Sequence, residues 1–356
     1  MKMRKIGVLT FHRAINYGAI LQTYALQQFL KKQNFETRVI DYRCHKVEKD
    51  YKTSLNTINI KKIISTLILF LKKTKFQNFV KKNIAISKPV YCKDDLRLIS
   101  NEFDYLCVGS DQVWNERWTE NDKRYFLDFT ESTKKISYAA SLGKGQLSND
   151  EKFELKMLLE DFNKISVREH SSACLLKTFV DKKINVHLDP VFLLEKNDWE
   201  KVLKDVQDTN YVLVYMLVPS DNLMKKAIEL AKKRNLKVIL LNDNIRKKYD
   251  VIYKRVSSVE KFLGYFKNAS YIVTNSFHGT AFSIVFEKNF FVELQTYKNA
   301  PNMRMVDLLD TFDLNDRIFD EFSNLYLYNS VNYKCVEEKK NKLIEEVKTY
   351  FCDLVD

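Results

Sequence analysis

Residues 5–32 read KIGVLTFHRAINYGAILQTYALQQFLKK, and they set the pattern that the rest of the chain repeats. The first six form a short apolar run, which is typical of a buried β-strand. After a polar loop, apolar residues recur at the spacing of one helix face, at Ile20, Leu21, Tyr24, Leu26, Phe29 and Leu30. A strand, a loop and a helix in this order predict the first repeat of a parallel sheet covered by helices.

The same alternation continues in two series of apolar strands. The first series predicts strands at residues 37–41, 105–108, 136–140, 165–167 and 186–188. The second predicts strands at residues 211–217, 237–241, 271–274 and 290–294, with a helix over 223–234. We therefore expect an α/β protein with two Rossmann-like domains and a ligand in the cleft between them, outside the carboxyl ends of the strands.

The charged residues 195–210 divide the two series. The predicted domains are residues 1–198, with a lysine-rich insertion at about 51–93, and residues 199–330. Residues 331–356 carry apolar side chains at helical spacing and predict an amphipathic terminal helix. With 45% hydrophobic residues the chain has ample material for two cores, which excludes disordered and low-complexity classes.

The net charge of +13 comes mostly from one segment. From Tyr51 to Lys93 the chain has no Asp or Glu but has ten lysines. Removing these ten from the 59 basic residues leaves 49 against 46 acidic residues. The remainder is nearly balanced, and the segment offers lysine without arginine, whereas base readout favours arginine. We therefore do not expect nucleic acid as a partner.

The cysteines and the apolar runs indicate a cytoplasmic chain. The six cysteines are widely spaced, without a C-x-x-C pair or histidines at zinc-finger spacing, which favours reduced thiols and no structural zinc. The first ten residues match a strand better than a leader peptide. The longest apolar run, residues 63–71, is too short to span a bilayer.

Four polar motifs follow predicted strands, and each can be interpreted either as part of a functional site or as a purely structural feature. In residues 11–19, Asn16 and Tyr17 open a helix whose N-terminus suits an anion, although Asn16 and Gly18 also suffice to make a turn. The dinucleotide fingerprint G-x-G-x-x-G is absent there. In VGSDQVWN, residues 108–115, the candidates are Asp111, Gln112, Trp114 and Asn115, against an ordinary helix cap beside a buried tryptophan.

The other two motifs offer a cation and a proton carrier. Arg168 in SVREHS, residues 166–171, provides a planar fork for a carboxylate or phosphate, or else a surface pair with Glu169. In TNSFHGTAFS, residues 274–283, His278 sits between a strand and an apolar helix, where it can donate to an anion or carry a proton. The alternative for His278 is a structural histidine.

Taken together, these blocks resemble the polysaccharide pyruvyl transferase family. The similarity rests on VLTFHRAINYGAILQTYAL, VGSDQVWN, ISYAASLG (136–143), SVREHS, HLDPVFLL (187–194) and TNSFHGTAFS, in this order, and extends from residue 5 to about 309. The resemblance implies two Rossmann-like domains in a glycosyltransferase-B-like arrangement. It also implies transfer of the pyruvyl group of phosphoenolpyruvate to sugar hydroxyls as a ketal.

The resemblance places Arg168 and His278 in the cleft. Many family members carry an arginine two residues before the motif histidine, where this chain has Ser276; Arg304 is a candidate substitute by composition only. We expect His278 and Asp111 to be catalytic, as proton donor and base. We expect the donor to be bound by Arg168, Ser276, Gly279, Thr280 and Arg304, and the acceptor by Asn16, Tyr17, Gln112, Trp114 and Asn115.

The expected reaction needs phosphoenolpyruvate as co-substrate and no metal or cofactor. The expected acceptor is a glycan of a surface polysaccharide or its lipid-linked precursor. Residues 61–82 either form a helix with lysines in water or dock on an anionic membrane surface, which would make the enzyme peripheral on the inner face of the cell membrane. Two alternatives stay open: a glycosyltransferase using a nucleotide sugar on the same scaffold, and a carbohydrate-binding protein without catalysis.

Overall fold

The computed structural model describes residues 3–50, 60–243, 248–296 and 302–354, and these fall into two compact units. The first unit comprises Met1–Lys52, Val80–Leu194 and Lys340–Asp356. The second unit comprises Thr53–Phe79 and Glu195–Lys339. Each unit contains a single sheet in its described part, and every strand pairing in both sheets is parallel.

The first unit is built on seven strands in the order β3-β2-β1-β4-β5-β6-β7. These are β1 (Lys5–Leu9), β2 (Glu36–Tyr42), β3 (Ile86–Val90), β4 (Tyr105–Val108), β5 (Lys134–Ser137), β6 (Phe162–Val167) and β7 (Ile184–Val186). Its helices are α1 (Tyr17–Lys32), α2 (His45–Asp50), α4 (Lys93–Ser100), α5 (Glu116–Thr119), α6 (Asn149–Leu159) and α7 (His170–Leu176). Short 3-10 helices cover Lys123–Phe126 and Pro190–Leu193.

The second unit has six strands in the order β10-β9-β8-β11-β12-β13. These are β8 (Tyr211–Tyr215), β9 (Lys237–Leu241), β10 (Ile252–Lys254), β11 (Tyr271–Thr274), β12 (Asn289–Glu293) and β13 (Ile318–Phe319). Its helices are α8 (Lys196–Glu200), α9 (Asp221–Arg234), α10 (Val259–Asn268), α11 (Phe277–Val285) and α12 (Met303–Thr311), with 3-10 helices at Asn315–Arg317 and Leu325–Leu327. Two long helices, α3 (Ile60–Asn83) and α13 (Tyr333–Cys352), contribute residues to both units.

The carboxyl half of α13 completes the core of the first unit. Phe351 is fully buried, and its ring lies 6.1 Å from that of Phe29 on α1. The hydroxyl of Tyr350 donates to the backbone oxygen of Ser137 at 2.8 Å. At the amino end of the sheet, the hydroxyl of Tyr105 donates to the backbone oxygen of Leu354. The carboxyl half of α13 and the residues that follow it therefore pack against the sheet that contains β1.

The predicted α/β class with two parallel sheets is confirmed, and the strand starts along the chain agree closely with the apolar runs. The sequence did not reveal β3, because Pro89 lies within it. The strand tolerates a proline because it is the edge strand of its sheet, where one side needs no ladder hydrogen bond. Strands β10 and β13, of three and two residues, are too short to give a periodic signal.

The predicted insertion at residues 51–93 divides between the two units. Residues 51–59 lie outside the described residues, and α3 begins at Ile60. The units divide this helix at Phe79 and Val80, whereas we expected the whole segment on the first domain. The reason is specific bonding: Lys72 pairs with Asp243, and Lys75 donates to the backbone oxygen of Val256. Among the described residues, no helix is both long and apolar enough to cross a membrane.

A test of the packing of the second unit is available at Gly264 on α10. A Cβ at this position would lie 2.2 Å from the backbone oxygen of Lys204, which cannot move without displacing the chain. We expect Gly264→Ala to lower the free energy of unfolding by about 1–3 kcal/mol, measured by urea denaturation. Gly145→Ala is the matched control, because nothing lies within 4 Å of a Cβ there. Equal stabilities of the two variants would contradict the packing.

Candidate active site

The first sheet reverses its strand order between β1 and β4. Strands β2 and β3 lie on one side of β1, and β4 returns to pair on the other side. In open parallel sheets, ligands bind at such a switch point, outside the carboxyl ends of the strands. The loops after β1 and β4, residues 10–16 and 109–115, are two of the motifs singled out in the sequence. The topology therefore brings both predicted loops to the same edge of the first unit.

Arg168 is the buried centre of this edge. Its Nη1 donates to Asp189 Oδ2 at 2.9 Å, and its Nε donates to Glu169 Oε1 at 3.2 Å. The Oδ1 atom of Asp111 lies 3.9 Å from Nη1. The side chain of Arg168 is 2% exposed, so these ion pairs lie in a region of low dielectric, where geometry decides their value. One guanidinium therefore joins the ends of β4, β6 and β7.

Three serine hydroxyls complete the bonding of the carboxylates. Ser110 donates to Asp189 at 3.0 Å, while Ser141 and Ser172 donate to the two oxygens of Glu169 at 2.6 and 3.1 Å. Apart from Ser172, which directly follows SVREHS, the participants come from four separated sequence blocks, VGSDQVWN, ISYAASLG, SVREHS and HLDPVFLL. Each block thus supplies at least one partner to the same buried cluster.

The predicted role of Arg168 as a ligand of the donor stays a prediction, and the surroundings of its side chain bear on it. Burial by itself lowers the pKa of Arg168, but the charges of Glu169, Asp189 and Asp111 outweigh it and raise the pKa above its ordinary value. The guanidinium is thus surrounded by three carboxylates. An anionic donor placed against it would meet their repulsion. The same contacts hold the loop after β4, and the alternative of a surface pair with Glu169 is wrong because both side chains are buried.

Asp111 occupies a strained position on the rim of this cluster. Its φ of +80° is uncommon for a residue other than glycine. Its carbonyl accepts hydrogen bonds from the amides of Val113 and Ser141, at 2.8 and 3.0 Å, and these bonds fix the conformation. The side chain is 13% exposed, in contrast to the fully buried Asp189. Asp111 is therefore the carboxylate of the cluster that a substrate can reach.

Gln112 and Asn115 form a polar pair beside Asp111. Asn115 Nδ2 donates to Gln112 Oε1 at 2.8 Å, and Asn115 Oδ1 caps α5 by accepting from the amide of Arg117. A Cβ on Gly143 would lie 2.2 Å from Gln112 Oε1, and the φ of Gly143 is +65°, so only glycine fits. Gly143, the last residue of ISYAASLG, thus packs directly against this pair. Its predicted role in binding the acceptor stays a prediction.

Trp114 does not fit the role predicted for it. Its indole is 3% exposed, stacks on Phe126 with ring centroids 5.4 Å apart, and donates from Nε1 to the backbone oxygen of Tyr125 at 3.0 Å. A sugar stacks only on an exposed aromatic face, and this ring is part of the core of the first unit. For Trp114, the structure supports the alternative interpretation of a buried tryptophan beside a cap.

Asn16 and Tyr17 begin α1 at the switch point. Asn16 is its N-cap, and its side-chain oxygen accepts from the amide of Ala19 at 3.3 Å. Asn16 is partly exposed, whereas Tyr17 is 6% exposed. Asn16 therefore has the structural role given as its alternative, since it caps α1. Acceptor binding by Asn16 and Tyr17 stays a prediction.

A histidine and carboxylate pair at the same edge was not found from the sequence. His12 Nε2 lies 2.9 Å from Asp41 Oδ1 and His12 Nδ1 lies 3.2 Å from the backbone oxygen of Thr10, with both side chains buried. Arg43 and Arg13 lie 2.8 and 3.4 Å from the same carboxylate. The signal available was the basic loop after β1, but Asp41 is 29 residues from His12 and only the strand pairing joins them.

The second sheet has its own switch point, between β8 and β11, and Asn275 spans it. Asn275 directly follows β11; its Oδ1 accepts from the amide of Leu217 at 2.9 Å, and its Nδ2 donates to the backbone oxygen of Val218 at 2.7 Å. Both partners belong to the loop after β8. The side chain thus fixes the two loops that diverge at this edge. Asn275 belongs to the motif TNSFHGTAFS, but its residue type and position in the chain predicted no role for it.

His278 lies in the first turn of α11, beside the same switch point. Ser276 is the N-cap, and its Oγ accepts from the amide of Gly279 at 3.2 Å. Thr280 Oγ1 donates to the carbonyl oxygen of Ser276 and is fully buried. A Cβ on Gly279 would lie 2.3 Å from Thr274 Oγ1, so this glycine is explained by close packing of helix on strand. Donor binding through the side chains of Ser276 and Thr280 stays a prediction.

Arg304 is close to the histidine motif, as its predicted role requires. It lies in the first turn of α12, and its guanidinium carbon is 5.9 Å from the centroid of the Phe277 ring. The ring of His278 packs edge-on against the same phenylalanine, at 5.2 Å between centroids. Both the guanidinium of Arg304 and the imidazole of His278 therefore contact the ring of Phe277. Strand β12 lies between His278 and Arg304 in the sequence, so only packing reveals this proximity.

Metal ligation has no support in the described part of the chain. No group of three or more His, Cys, Asp or Glu side chains there is arranged to hold a metal ion.

Two parallel sheets with polar residues at their switch points define an α/β enzyme fold of the Rossmann-like kind. The chain belongs to the polysaccharide pyruvyl transferase family, whose model matches residues 16–292. This confirms the resemblance drawn from the sequence blocks and assigns the chain to an enzyme family. A comparison with curated protein sequences gave no significant match.

Solved structures share the fold at low sequence identity. A structure described as a UDP-N-acetylglucosamine 2-epimerase from Listeria monocytogenes matches with a TM-score of 0.52 at 10% identity, over 99% of this chain and 97% of that one. The UDP-GlcNAc 2-epimerase from Neisseria meningitidis, bound to UDP-GlcNAc, has a TM-score of 0.47 at 12% identity over 97% and 99%. Spinosyn forosaminyltransferase has 0.45 at 11% over 98% and 92%. The first of these likenesses confirms the predicted glycosyltransferase-B-like fold class, and the fold alone.

The buried pair of Asp41 and His12 predicts how stability depends on acid. Burial raises the pKa of Asp41, but the hydrogen bond and charge of His12, followed by Arg43 and Arg13, lower it overall from 3.8 to about 2. Because the pKa of Asp41 is lower in the folded than in the unfolded state, its ionised carboxylate stabilises the fold above about pH 4. This stabilisation is lost as the pH falls toward about 2. We expect Asp41→Asn to cost about 2 kcal/mol at pH 7, by urea denaturation followed by circular dichroism.

The difference between wild type and Asp41→Asn should shrink steadily between about pH 5 and pH 3. Asp181→Asn, at an exposed aspartate of the same unit, is the matched control and should change stability little at either pH. A cost for Asp41→Asn that does not vary over this range would show that the ionised carboxylate contributes nothing.

Proposed function

We propose that this protein transfers the pyruvyl group of phosphoenolpyruvate onto two hydroxyls of a sugar in a surface polysaccharide or its lipid-linked precursor. The products would be a pyruvate ketal and inorganic phosphate. The observation that carries the proposal is the family match over residues 16–292, together with the packing of both His278 and Arg304 against Phe277 beside the switch point of the second unit.

The reaction defines which groups are needed. A proton adds to the methylene carbon of the enol phosphate, which builds positive charge at the central carbon. One sugar hydroxyl attacks that carbon, the bond to the phosphate oxygen breaks, and the second hydroxyl closes the ketal. Two carbon–oxygen bonds form and one breaks; one hydroxyl proton balances the proton added to the methylene, and the other balances the phosphate. The enzyme must supply an acid, a base and cations for the donor.

In the second unit, we assign donor binding to the first turn of α11 and to Arg304. The amino end of a helix presents backbone amides and a positive dipole to an anion. Ser276 stands where many family members have an arginine, and its hydroxyl serves as the helix cap. Arg304, on α12, lies against Phe277, the residue that follows Ser276. This position supports the proposal that Arg304 supplies the cation that Ser276 lacks. His278 is assigned as the proton donor or phosphate partner.

In the first unit, we assign the base to Asp111 and acceptor binding to Gln112, Asn115, Asn16 and Tyr17. The partial exposure of Asp111 at the rim of a buried ion-pair cluster supports this assignment. Arg168 is proposed to orient Asp111, which lies 3.9 Å from its Nη1, rather than to bind the donor. Trp114 is left out of the acceptor site because its indole is buried.

The central test is phosphate release from phosphoenolpyruvate in the presence of lipid-linked or polymeric sugar acceptors. We expect wild type to release phosphate only when an acceptor is present, and His278→Ala to lower kcat at least about 100-fold. Phosphoenolpyruvate should raise the Tm of wild type even without an acceptor. A rise with a nucleotide sugar and none with phosphoenolpyruvate would instead favour a glycosyltransferase and refute the donor.

Arg304 gives a sharper test of the donor site. Loss of a charged hydrogen bond typically costs about 1.5–3 kcal/mol, so Arg304→Ala should raise the KM for phosphoenolpyruvate by about 10- to 100-fold. Arg304→Lys should restore part of the loss, since it keeps the charge without the planar fork. Arg255→Ala is the matched control, because Arg255 lies 5.1 Å from the Tyr253 ring in the same unit. Equal KM values for wild type and Arg304→Ala would remove Arg304 from the site.

A further inference from the structure

Helix α3 presents an apolar stripe to solvent. Five large side chains are between 39% and 54% exposed, namely Ile63, Ile64, Leu67, Phe70 and Leu71. At about 100° per residue they fall within an arc of about 120° on one side of the helix. The stripe extends about 12 Å along the helix axis. We call these five residues the α3 stripe.

Lysines continue the same side of the helix. About eighteen residues make five full turns, so Lys81 and Lys82 are aligned with Ile63 and Ile64. Both lysines are exposed, and no acidic residue lies between Tyr51 and Lys93. One side of α3 is therefore apolar over its first half and cationic at its carboxyl end.

The other side of α3 is fixed by packing and by bonds. Phe76 and Phe79 are 2% and 1% exposed. Lys72 pairs with Asp243 on this side, and Lys75, at the edge of the stripe next to Ile64, donates to the backbone oxygen of Val256 at 2.7 Å. These contacts hold α3 in place and leave the α3 stripe turned outward. They also remove Lys72 from the lysines available to an external partner.

We propose that the α3 stripe, together with Lys81 and Lys82, docks on an anionic lipid bilayer. Apolar side chains beside lysines on one helix side match the boundary between acyl chains and phosphate headgroups. Lysine suits this place because its stem covers apolar surface while its ammonium stays in water. A bilayer is favoured over a folded protein partner because the charge on this side of the helix has a single sign and the apolar residues form an exposed ridge. The proposal does not depend on the identity of the pyruvyl donor.

The test is flotation of the full chain with vesicles of phosphatidylcholine alone or with about 30 mol% phosphatidylglycerol. We expect wild type to bind the anionic vesicles, with binding that weakens as salt rises. Lys81→Gln with Lys82→Gln should weaken it by about fivefold per lysine. Leu67→Ser with Phe70→Ser should weaken it at least about tenfold, since both apolar side chains leave the bilayer boundary.

Matched controls distinguish binding through the α3 stripe from nonspecific adsorption to the vesicles. Phe153→Ser with Met157→Ser replaces two equally exposed apolar residues on α6, and Lys232→Gln with Lys233→Gln replaces two exposed lysines on α9. Both controls should bind vesicles as wild type does. Turnover of a soluble acceptor should be unchanged in all four variants, which distinguishes failure of docking from failure of the proposed reaction.

Three outcomes would overturn the proposal. One is absence of vesicle binding by wild type at low salt. Another is equal binding by wild type and the Leu67→Ser, Phe70→Ser variant. The third is a dimer, seen by light scattering, that this variant dissociates while vesicle binding persists, since the α3 stripe would then be an interface between two copies of the chain.

Discussion

The first unit depends on one buried guanidinium. Arg168 holds Asp189 and Glu169 by direct hydrogen bonds and has Asp111 at 3.9 Å, and these acids come from different strand ends. Removing one member of such a group leaves an uncompensated charge in the interior, which commonly costs about 3–5 kcal/mol. The arginine, its three carboxylates and the serines that bond to them therefore form one interdependent buried cluster. The strained loop that carries Asp111 is held in place by this cluster and by backbone bonds to Ser141.

At the switch point of the second unit, the loops are joined through a neutral side chain. Asn275 joins the loops after β8 and β11 with one donor and one acceptor, both used on backbone groups. Close packing at Gly279 sets α11 against β11, so the first turn of α11, with His278, is placed by sterics. The two sheets thus share the order of strands about their switch points and differ in the side chains at their carboxyl edges, where the first has an arginine with three carboxylates and the second an amide that joins two loops.

Much of the fold was predictable from the sequence, and the features that were missed have a common cause. The loops after β1, β4, β6 and β11 were identified from apolar runs followed by polar residues, and the topology brings them to the predicted edges. The buried ion pairs of Arg168 were not foreseen because Asp189, 21 residues away, belongs to a separate block that showed no charge pattern. Trp114 was misjudged because aromatic residues in a loop look alike whether exposed or buried. Burial and long-range ion pairing are properties of the fold, so a local motif cannot reveal them.

The sequence by itself determined the α/β class, the two series of strands, the family and the histidine between a strand and a helix. These depend on local periodicity and on residues adjacent in the chain, which are written directly in the order of amino acids. Only the tertiary structure decided which charges are already neutralised, as at Arg168 and Lys72, and which apolar residues of α3 stay uncovered. It also decided that Arg304 lies beside Phe277. These facts depend on distances between residues far apart in sequence, which packing sets and no spacing along the chain records.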